Sequence, residues 1–460
     1  MLGQSSYPFV TNGSYPTRGG NRIGLLIDGE PAFRRICEAI GAARRSVWVT
    51  VTFMWSAFRM PDGKSTALDV LNQVVQRGVD VRVIFWRPDA VTASHKRNAF
   101  WGAPEHFALL EQHGSQIRVR WDRAHPGFCQ HQKTWLIDAG ERTETCFVGG
   151  INLNPYSMVA PGHSSEGQNH DVYVELSGPS AVDVHHNFAQ RWNEASERHA
   201  GDGRWGTGSD TELPFPDRVP TERGTDRVQI QRTIHSGRYS DGRPPPEGRA
   251  FDIASGEQTN FEQYCAAIRA ARRTIYIENQ YVEVTEIVTE LHGALRRGVN
   301  VVLLVPAIPD ISPTSYDATE RRAFFEARAT LGSHNNFTLA GIAGLGSDGR
   351  RKPVYVHSKL MLIDDTWATV GSCNLHRFSL FGNSELNAAI LAPDTIRAFR
   401  IALFQEHLGK DTSALNDIVA LRLFREIAQE NRERLKNCDH AWQGLAFDLD
   451  ASTYGRSAQI

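Results

Sequence analysis

Several things are scarce in this sequence, and each shortage narrows what it encodes. No apolar run approaches the roughly 20 residues that span a bilayer, so no membrane-crossing helix is expected. The six cysteines (Cys37, Cys129, Cys146, Cys265, Cys373, Cys438) show no C-x-x-C spacing, which argues against a zinc site or a disulfide framework and reads as reduced, mostly buried thiols. Net charge is only -2, so there is no global field to recruit nucleic acid or an anionic membrane, and any such attraction must be local. The opening MLGQSSYPFVTNGSYP has neither a basic n-region nor an apolar h-region, so a secretory signal is not expected. Lysine is rare, with only seven among 50 basic residues, so each lysine marks a position worth asking about.

What is present is a globular composition, 41% hydrophobic and 22% charged over 460 residues, enough for two halves of ordinary domain size. The chain repeats itself. AIGAARRSVWVTV (Ala39 to Val51) recurs as AIRAARRTIYIEN (Ala267 to Asn279), and RGVDV (Arg77 to Val81) as RGVNV (Arg297 to Val301). Each copy reads as helix, strand, helix, strand, which predicts an α/β unit with a helix-covered sheet in each half. The first half continues with a helix near His106 to Gly114, a strand from Gln116 to Trp121, strands around Lys133 to Ile137 and Asp171 to Leu176, and a closing helix over Ser180 to Glu197. The second closes with Asp394 to Leu408. We therefore divide the chain into an N-terminal half (1–200), a Gly/Pro-rich linker (201–258) in which only Val228 to Ile234 looks like a strand, a C-terminal half (259–410), and a tail (411–460) packed on the core.

The polar residues sit at matching places in the two copies. His131-Gln-Lys133-Thr-Trp-Leu-Ile-Asp138 is followed by Gly149-Gly150-Ile-Asn152, and His357-Ser-Lys359-Leu-Met-Leu-Ile-Asp364 by Gly371-Ser372-Cys-Asn374. Residues two apart on a strand face the same way, so each His projects beside its Lys. An imidazole can attack phosphorus or donate a proton, and an ammonium neutralises a non-bridging phosphate oxygen. The Gly-Gly or Gly-Ser step would let backbone approach a ligand, and the Asn amide can donate to it. Chance would supply one His-x-Lys-x-x-x-x-Asp match on the order of 0.02 times in such a chain. Two at repeat-equivalent positions are not coincidence.

These motifs, with FAQRWNEA (Phe188 to Ala195), IYIENQYV (Ile275 to Val282) and VHSKLMLIDDTWATVGSCNLHRFSLFGNSEL (Val356 to Leu386), resemble the phospholipase D superfamily, and within it the eukaryotic-type branch. The resemblance runs from about residue 20 over nearly the whole chain and looks like a catalytic core without accessory lipid-binding domains. It implies duplicated α-β-α sandwich halves about a pseudo-twofold axis, with both motifs meeting at the interface. It further implies that His131 is the nucleophile and His357 the general acid, with Lys133, Lys359, Asn152 and Asn374 as the phosphate clamp. Asp171 and Glu385 match the family's orienting carboxylates, and Asp138 and Asp364 its structural ones. Ten residues separate Asp138 from Gly149 against six between Asp364 and Gly371, which reads as a longer hairpin loop in the first half.

No metal or cofactor is expected, since the resemblance implies metal-independent chemistry and no carboxylate cluster stands out in the sequence. His185 and His186 read as surface or helix-packing residues, whereas His163 and His170 are candidates to line the pocket. Tyr156, Met158, Phe378, Leu380 and Phe381 could form an apolar entry, and Gly341 to Lys352 a mobile lid with a basic rim. The expected function is hydrolysis of a glycerophospholipid diester to phosphatidic acid, with alcohol exchange, by a monomer at a membrane surface. The alternatives are a cardiolipin synthase-like transfer, whose enzymes usually carry membrane helices, or a superfamily nuclease, which would need a continuous basic groove; nucleic acid is not the expected partner. A scaffold role fits poorly with two intact motifs. The setting is expected to be cytoplasmic or peripheral to a membrane, or reached by signal-independent export.

Overall fold

The computed structural model describes residues 9–88, 100, 104–112, 117–164, 167–196, 212–309, 326 and 328–455. The first half runs β1 (Arg18–Ile27), α1 (Gly29–Ala42), β2 (Ser46–Val51), α2 (Ala67–Val75), β3 (Asp80–Trp86), α3 (Pro104–Gln112), β4 (Arg118–Asp122), β5 (Thr134–Ile137), β6 (Thr145–Gly149), β7 (Asn169–His170), β8 (Val172–Ser177) and α4 (Ala181–Asn193). The second runs β9 (Asp226–Ile234), β10 (Glu257–Gln258), α5 (Thr259–Ala270), β11 (Thr274–Asn279), α6 (Thr285–Arg296), β12 (Asn300–Leu304), β13 (Phe337–Leu345), β14 (Arg351–Val356), β15 (Lys359–Ile363), β16 (Trp367–Gly371), α7 (Arg377–Phe381), β17 (Glu385–Leu391) and α8 (Pro393–Leu408), followed by α9 (Asp417–Lys436) and β18 (Ala446–Asp448). The last two residues of the expected α3 helix, the first residue of the β4 strand and the last of the closing helix fall outside the described residues.

The strand order is the same in both halves. In the first sheet it is β1-β8-β6-β5-β2-β3-β4, with β2, β3 and β4 parallel and the rest antiparallel. In the second it is β9-β17-β16-β15-β11-β12-β13, parallel over β11, β12 and β13. Strand β9 therefore holds the place that β1 holds in the first sheet. It lies inside the stretch read from composition as linker and pairs with β17 along seven residues. Its VQIQ alternation is short and sits among turn formers, which is why composition understates it. The tail adds β18 to the edge of β13.

Central strands VWVTV and IYIEN are buried along their whole length, as strands covered on both faces must be. Helix α1 turns Ala32, Phe33, Ile36 and Ile40 onto the outer face of the first sheet, and α5 turns Tyr264, Ala267 and Ile268 onto that of the second. A third apolar cluster draws on both halves, placing Leu136, Val148 and Val174 with Leu360, Val370 and Ala388 and enclosing Phe188 and Trp192 of α4 with Phe404 of α8. The sheets thus meet face to face across a shared core, related by a pseudo-twofold axis. That packing brings the two motifs together.

Candidate active site

Each motif begins just before its strand, in a segment held by the opposite half. The His131 backbone N–H donates to Ser384 O at 2.9 Å, and Ser384 N–H donates to Cys129 O at 2.9 Å. In the other copy His357 N–H donates to His170 O at 2.8 Å, where β14 runs parallel to β7. The residue after each of those carbonyls carries the carboxylate. Glu385 Oε2 lies 2.9 Å from His131 Nδ1, and Asp171 Oδ2 lies 2.5 Å from His357 Nδ1. The orienting carboxylates are thus exchanged between halves, and each histidine is fixed at its backbone and its ring by the same two-residue step.

With Nδ1–H committed to a carboxylate, Nε2 is the ring nitrogen left for chemistry on both histidines. Burial pushes His131 down to about 4, helped by the charges of Lys133 and Lys359 and opposed by Glu385. Burial likewise pushes His357 to about 4, with Lys359 and Lys133 adding to it and Asp171 opposing. Both rings are therefore neutral in the free protein at pH 7. The lysines are driven the same way by burial, Lys133 to about 8 and Lys359 to about 7.

Lys133 Nζ donates to His131 O at 2.7 Å and to Thr52 Oγ1 at 3.3 Å, and lines one small cavity with Asn152. Lys359 Nζ donates to His357 O and reaches Gln280 Oε1 at 3.4 Å, an oxygen that Asn374 Nδ2 also approaches at 3.4 Å. In each half a lysine and an asparagine thus stand together beside the histidine. A lysine and an asparagine so placed can offer a cationic and an amide donor to an anion.

Asp138 and Asp364 sit at the far ends of β5 and β15, away from the histidines. Asp138 Oδ1 accepts the N–H groups of Arg44, Arg45 and Ser46 at 2.8, 2.7 and 3.4 Å, and Asp364 those of Arg272, Arg273 and Thr274 at 2.9, 2.8 and 2.8 Å. Each pins the turn from a helix into the central strand, and each adopts positive φ, 55° and 54°.

Some expectations need correction. The motif glycines serve the protein itself: a Cβ on Gly149 would lie 2.4 Å from Val172 O, one on Gly371 2.4 Å from Leu386 O, and one on Gly150 2.5 Å from the Asp171 carboxylate. His170 and His163 do not line the pocket but are buried behind it. His170 Nδ1 meets Asp28 Oδ1 at 2.9 Å and its Nε2 meets Glu278 Oε2 at 3.0 Å. His185 and His186 are the helix-packing residues of the two readings offered, buried on α4 and held by Glu144 and by Arg243 O. Leu380 is core, and Phe378 and Phe381 pack on Phe128 and Phe261, while Tyr156 is half exposed against Trp55. Gly341 to Lys352 forms the β13–β14 hairpin rather than a lid, with Arg351 tied to four backbone carbonyls.

Sequence reading missed the residues that support the site. Ser372, Ser379 and Asn383 donate to Glu385 at 2.6, 2.5 and 3.3 Å. It also missed a cluster of metal-ligating types, since Asp28, His163, His170 and Glu406, and in overlap His170, Glu278 and His407, converge behind His357. The carboxylates there hold His170 well above its usual range against the cost of burial, Glu278 and Asp28 acting together. These residues are scattered from 28 to 407 with no spacing to betray them.

A family described as "Cardiolipin synthase, PLD-like domain" matches residues 36–192 and 264–407, and one described as "Phospholipase D" matches 154–284. The chain is 27% identical over 380 residues to cardiolipin synthase A of Pseudomonas putida (strain W619), covering 81% of this chain and 66% of that protein. It is 23% identical over 597 residues to phospholipase D gamma 3 of Arabidopsis thaliana, covering 91% and 68%. The chain thus spans about two thirds of the length of these relatives, and 49% of phospholipase D beta 1 of Arabidopsis thaliana. Among solved structures, phosphatidylserine synthase of Haemophilus influenzae Rd KW20 superposes with a TM-score of 0.55 at 12% identity, over 91% of this chain and 95% of that one.

Proposed function

The chain belongs to the phospholipase D superfamily, and from that premise we propose that it cleaves the headgroup-side phosphodiester of a glycerophospholipid through a phosphohistidine. The observation that carries the reading is the exchanged pair of carboxylate-held histidines, each beside a lysine and an asparagine. His131 Nε2 attacks phosphorus, and the bond to the headgroup oxygen breaks as His357 protonates that oxygen. Lys133, Lys359, Asn152 and Asn374 stabilise the charge that builds on the non-bridging oxygens. Water then gives a proton to His357 and its oxygen displaces His131, releasing phosphatidic acid. An alcohol in place of water yields a new diester.

The two carboxylates support this division of roles. Glu385 spreads its charge over Ser372, Ser379 and Asn383 as well as His131, which weakens its pull on the ring proton and favours a neutral nucleophile. Asp171 accepts from Val172 N–H at 2.8 Å and from His357 at 2.5 Å, and so better supports a protonated ring once an anionic diester is bound. Both motifs lie in one chain, so a monomer can carry the whole site. No helix among the described residues is long and apolar enough to cross a membrane. We place the substrate at a membrane surface that the protein meets from outside.

Similarity to cardiolipin synthase A favours one second reading, in which the captured phosphatidyl group passes to a lipid alcohol. Vesicles of phosphatidylcholine, phosphatidylethanolamine and phosphatidylglycerol, with and without ethanol, separate the two. Headgroup release with phosphatidylethanol formation, lost in His131→Ala, supports the lipase. Cardiolipin as the main product from phosphatidylglycerol supports transfer, and turnover of bis(p-nitrophenyl) phosphate with no lipid product refutes both.

A further inference from the structure

The support behind the two histidines is unequal. His170 has both ring nitrogens on carboxylates, Asp28 at 2.9 Å and Glu278 at 3.0 Å, so both carry hydrogen and the ring is a cation between two anions. Each of those carboxylates also holds a group that fixes His357. Asp28 Oδ1 accepts the Asp171 N–H at 3.3 Å, and Asp171 holds the His357 ring. Glu278 Oε2 accepts the Ser358 hydroxyl at 2.6 Å, and Ser358 follows His357 in the chain. The His170 carbonyl itself accepts the N–H groups of His357 and Ser358 at 2.8 and 3.1 Å. Asp28 and His170 come from the first half and Glu278 and Ser358 from the second, so the clamp closes across the interface.

Among the described residues, no histidine held between two carboxylates stands behind His131. Ser384 occupies the place of His170, and Thr50, bonded to Thr134 at 2.8 Å, the place of Glu278. Gln132, where the other motif has Ser358, accepts from Asn187 and Arg191 of α4 and donates to the Glu385 backbone carbonyl at 3.2 Å, reaching no carboxylate side chain among the described residues. The duplication has kept the reacting residues alike while letting their supports diverge: neutral donors from Ser372, Ser379 and Asn383 hold the carboxylate on His131, whereas a charged carboxylate–imidazolium–carboxylate clamp stands behind His357.

We propose that His170 is a positioning residue that, through Asp28, Glu278 and Ser358, holds His357 where it can protonate the leaving oxygen. The inference rests on the assignment of His357 as the acid. It makes a prediction that a merely structural role does not, because an acid matters only when the leaving group needs a proton. A choline or ethanolamine oxygen needs one; a p-nitrophenolate does not.

The test compares first-turnover rates of the full chain on phosphatidylcholine and on the p-nitrophenyl ester of phosphatidic acid, in the wild type, His170→Asn and Ser358→Ala. For His170→Asn the expected result is a roughly ten- to hundredfold loss on phosphatidylcholine, part of what a positioned acid supplies. The p-nitrophenol burst should stay within about threefold of wild type. Ser358→Ala, which removes only the Glu278 bond, should show the same selectivity more weakly, and it decides the matter if His170→Asn does not fold. Equal losses on both esters, or no loss on either, overturn the proposal. A wild type that turns over neither ester would instead refute the proposed function.

Discussion

Glu385, on a strand of the second half, holds the ring of His131 from the first at 2.9 Å, and the first half returns the relationship through Asp171 and His357 at 2.5 Å. Neither half contains a complete histidine site. Asp171→Asn and Glu385→Gln keep the shape but reverse the hydrogen-bond demand on Nδ1, forcing the wrong tautomer on the partner half's histidine. Each should lower kcat by on the order of 10²–10⁴, with little change in KM. Steady-state kinetics on both variants checks this.

Gly150 reaches the site indirectly. A methyl there would lie 2.5 Å from the Asp171 carboxylate, which would have to shift and take the His357 ring with it. Gly150→Ala should therefore cost about tenfold or more in kcat while leaving the melting temperature nearly unchanged, as expected of a small misplacement in a reacting group. Activity and thermal melts on one preparation decide it.

The motif aspartates should behave in the opposite way. Each accepts three backbone N–H groups in a buried turn far from the histidines. Asp138→Ala and Asp364→Ala should cost about 2–4 kcal/mol of stability by stranding those donors. Activity per folded molecule should stay close to wild type in chemical denaturation and kinetic assays.

The buried charges set a pH profile. In the free enzyme Lys359 and Lys133 lose their charge as pH rises through about 7 and about 8, so the clamp weakens and kcat/KM falls there. On the acid side His131 takes up a proton as pH falls through about 4 and loses the lone pair that attacks. On the p-nitrophenyl ester of phosphatidic acid, whose leaving group needs no proton from His357, the profile of kcat/KM should be a bell between these limits. In the complex the bound anion favours charged lysines, so the basic limb of kcat should lie at higher pH. A basic limb of kcat/KM near the ordinary lysine range, around 10.4, contradicts this.

Much of this was legible in the sequence because the motif is local. His-x-Lys on a strand puts two side chains on one face, and a repeat with the same G-[GS]-x-N sequel announces a second copy. The carboxylates Asp171 and Glu385 could be named from their position after that sequel. Their exchange could not, since it depends on how two sheets stack across a shared core. Strand β9 was visible as VQIQRTI but not as the opening strand of the second sheet, because its partner β17 lies over 150 residues away. His170 illustrates the remaining gap. As a lone histidine in a Gly- and Ser-rich loop it reads as a pocket residue, and only folding brings Asp28 and Glu278 to its two nitrogens.

The central claim is that His131 becomes covalently bonded to phosphorus while His357 manages the protons. It is tested most directly by rapid quench of His357→Ala on the p-nitrophenyl ester of phosphatidic acid, followed by mass spectrometry of the peptides at alkaline pH. This variant can release p-nitrophenolate without an acid but lacks the base for water, so an acid-labile phosphatidyl adduct should accumulate on the peptide carrying His131. An adduct on any other residue, or undiminished turnover by His131→Ala, would contradict the account.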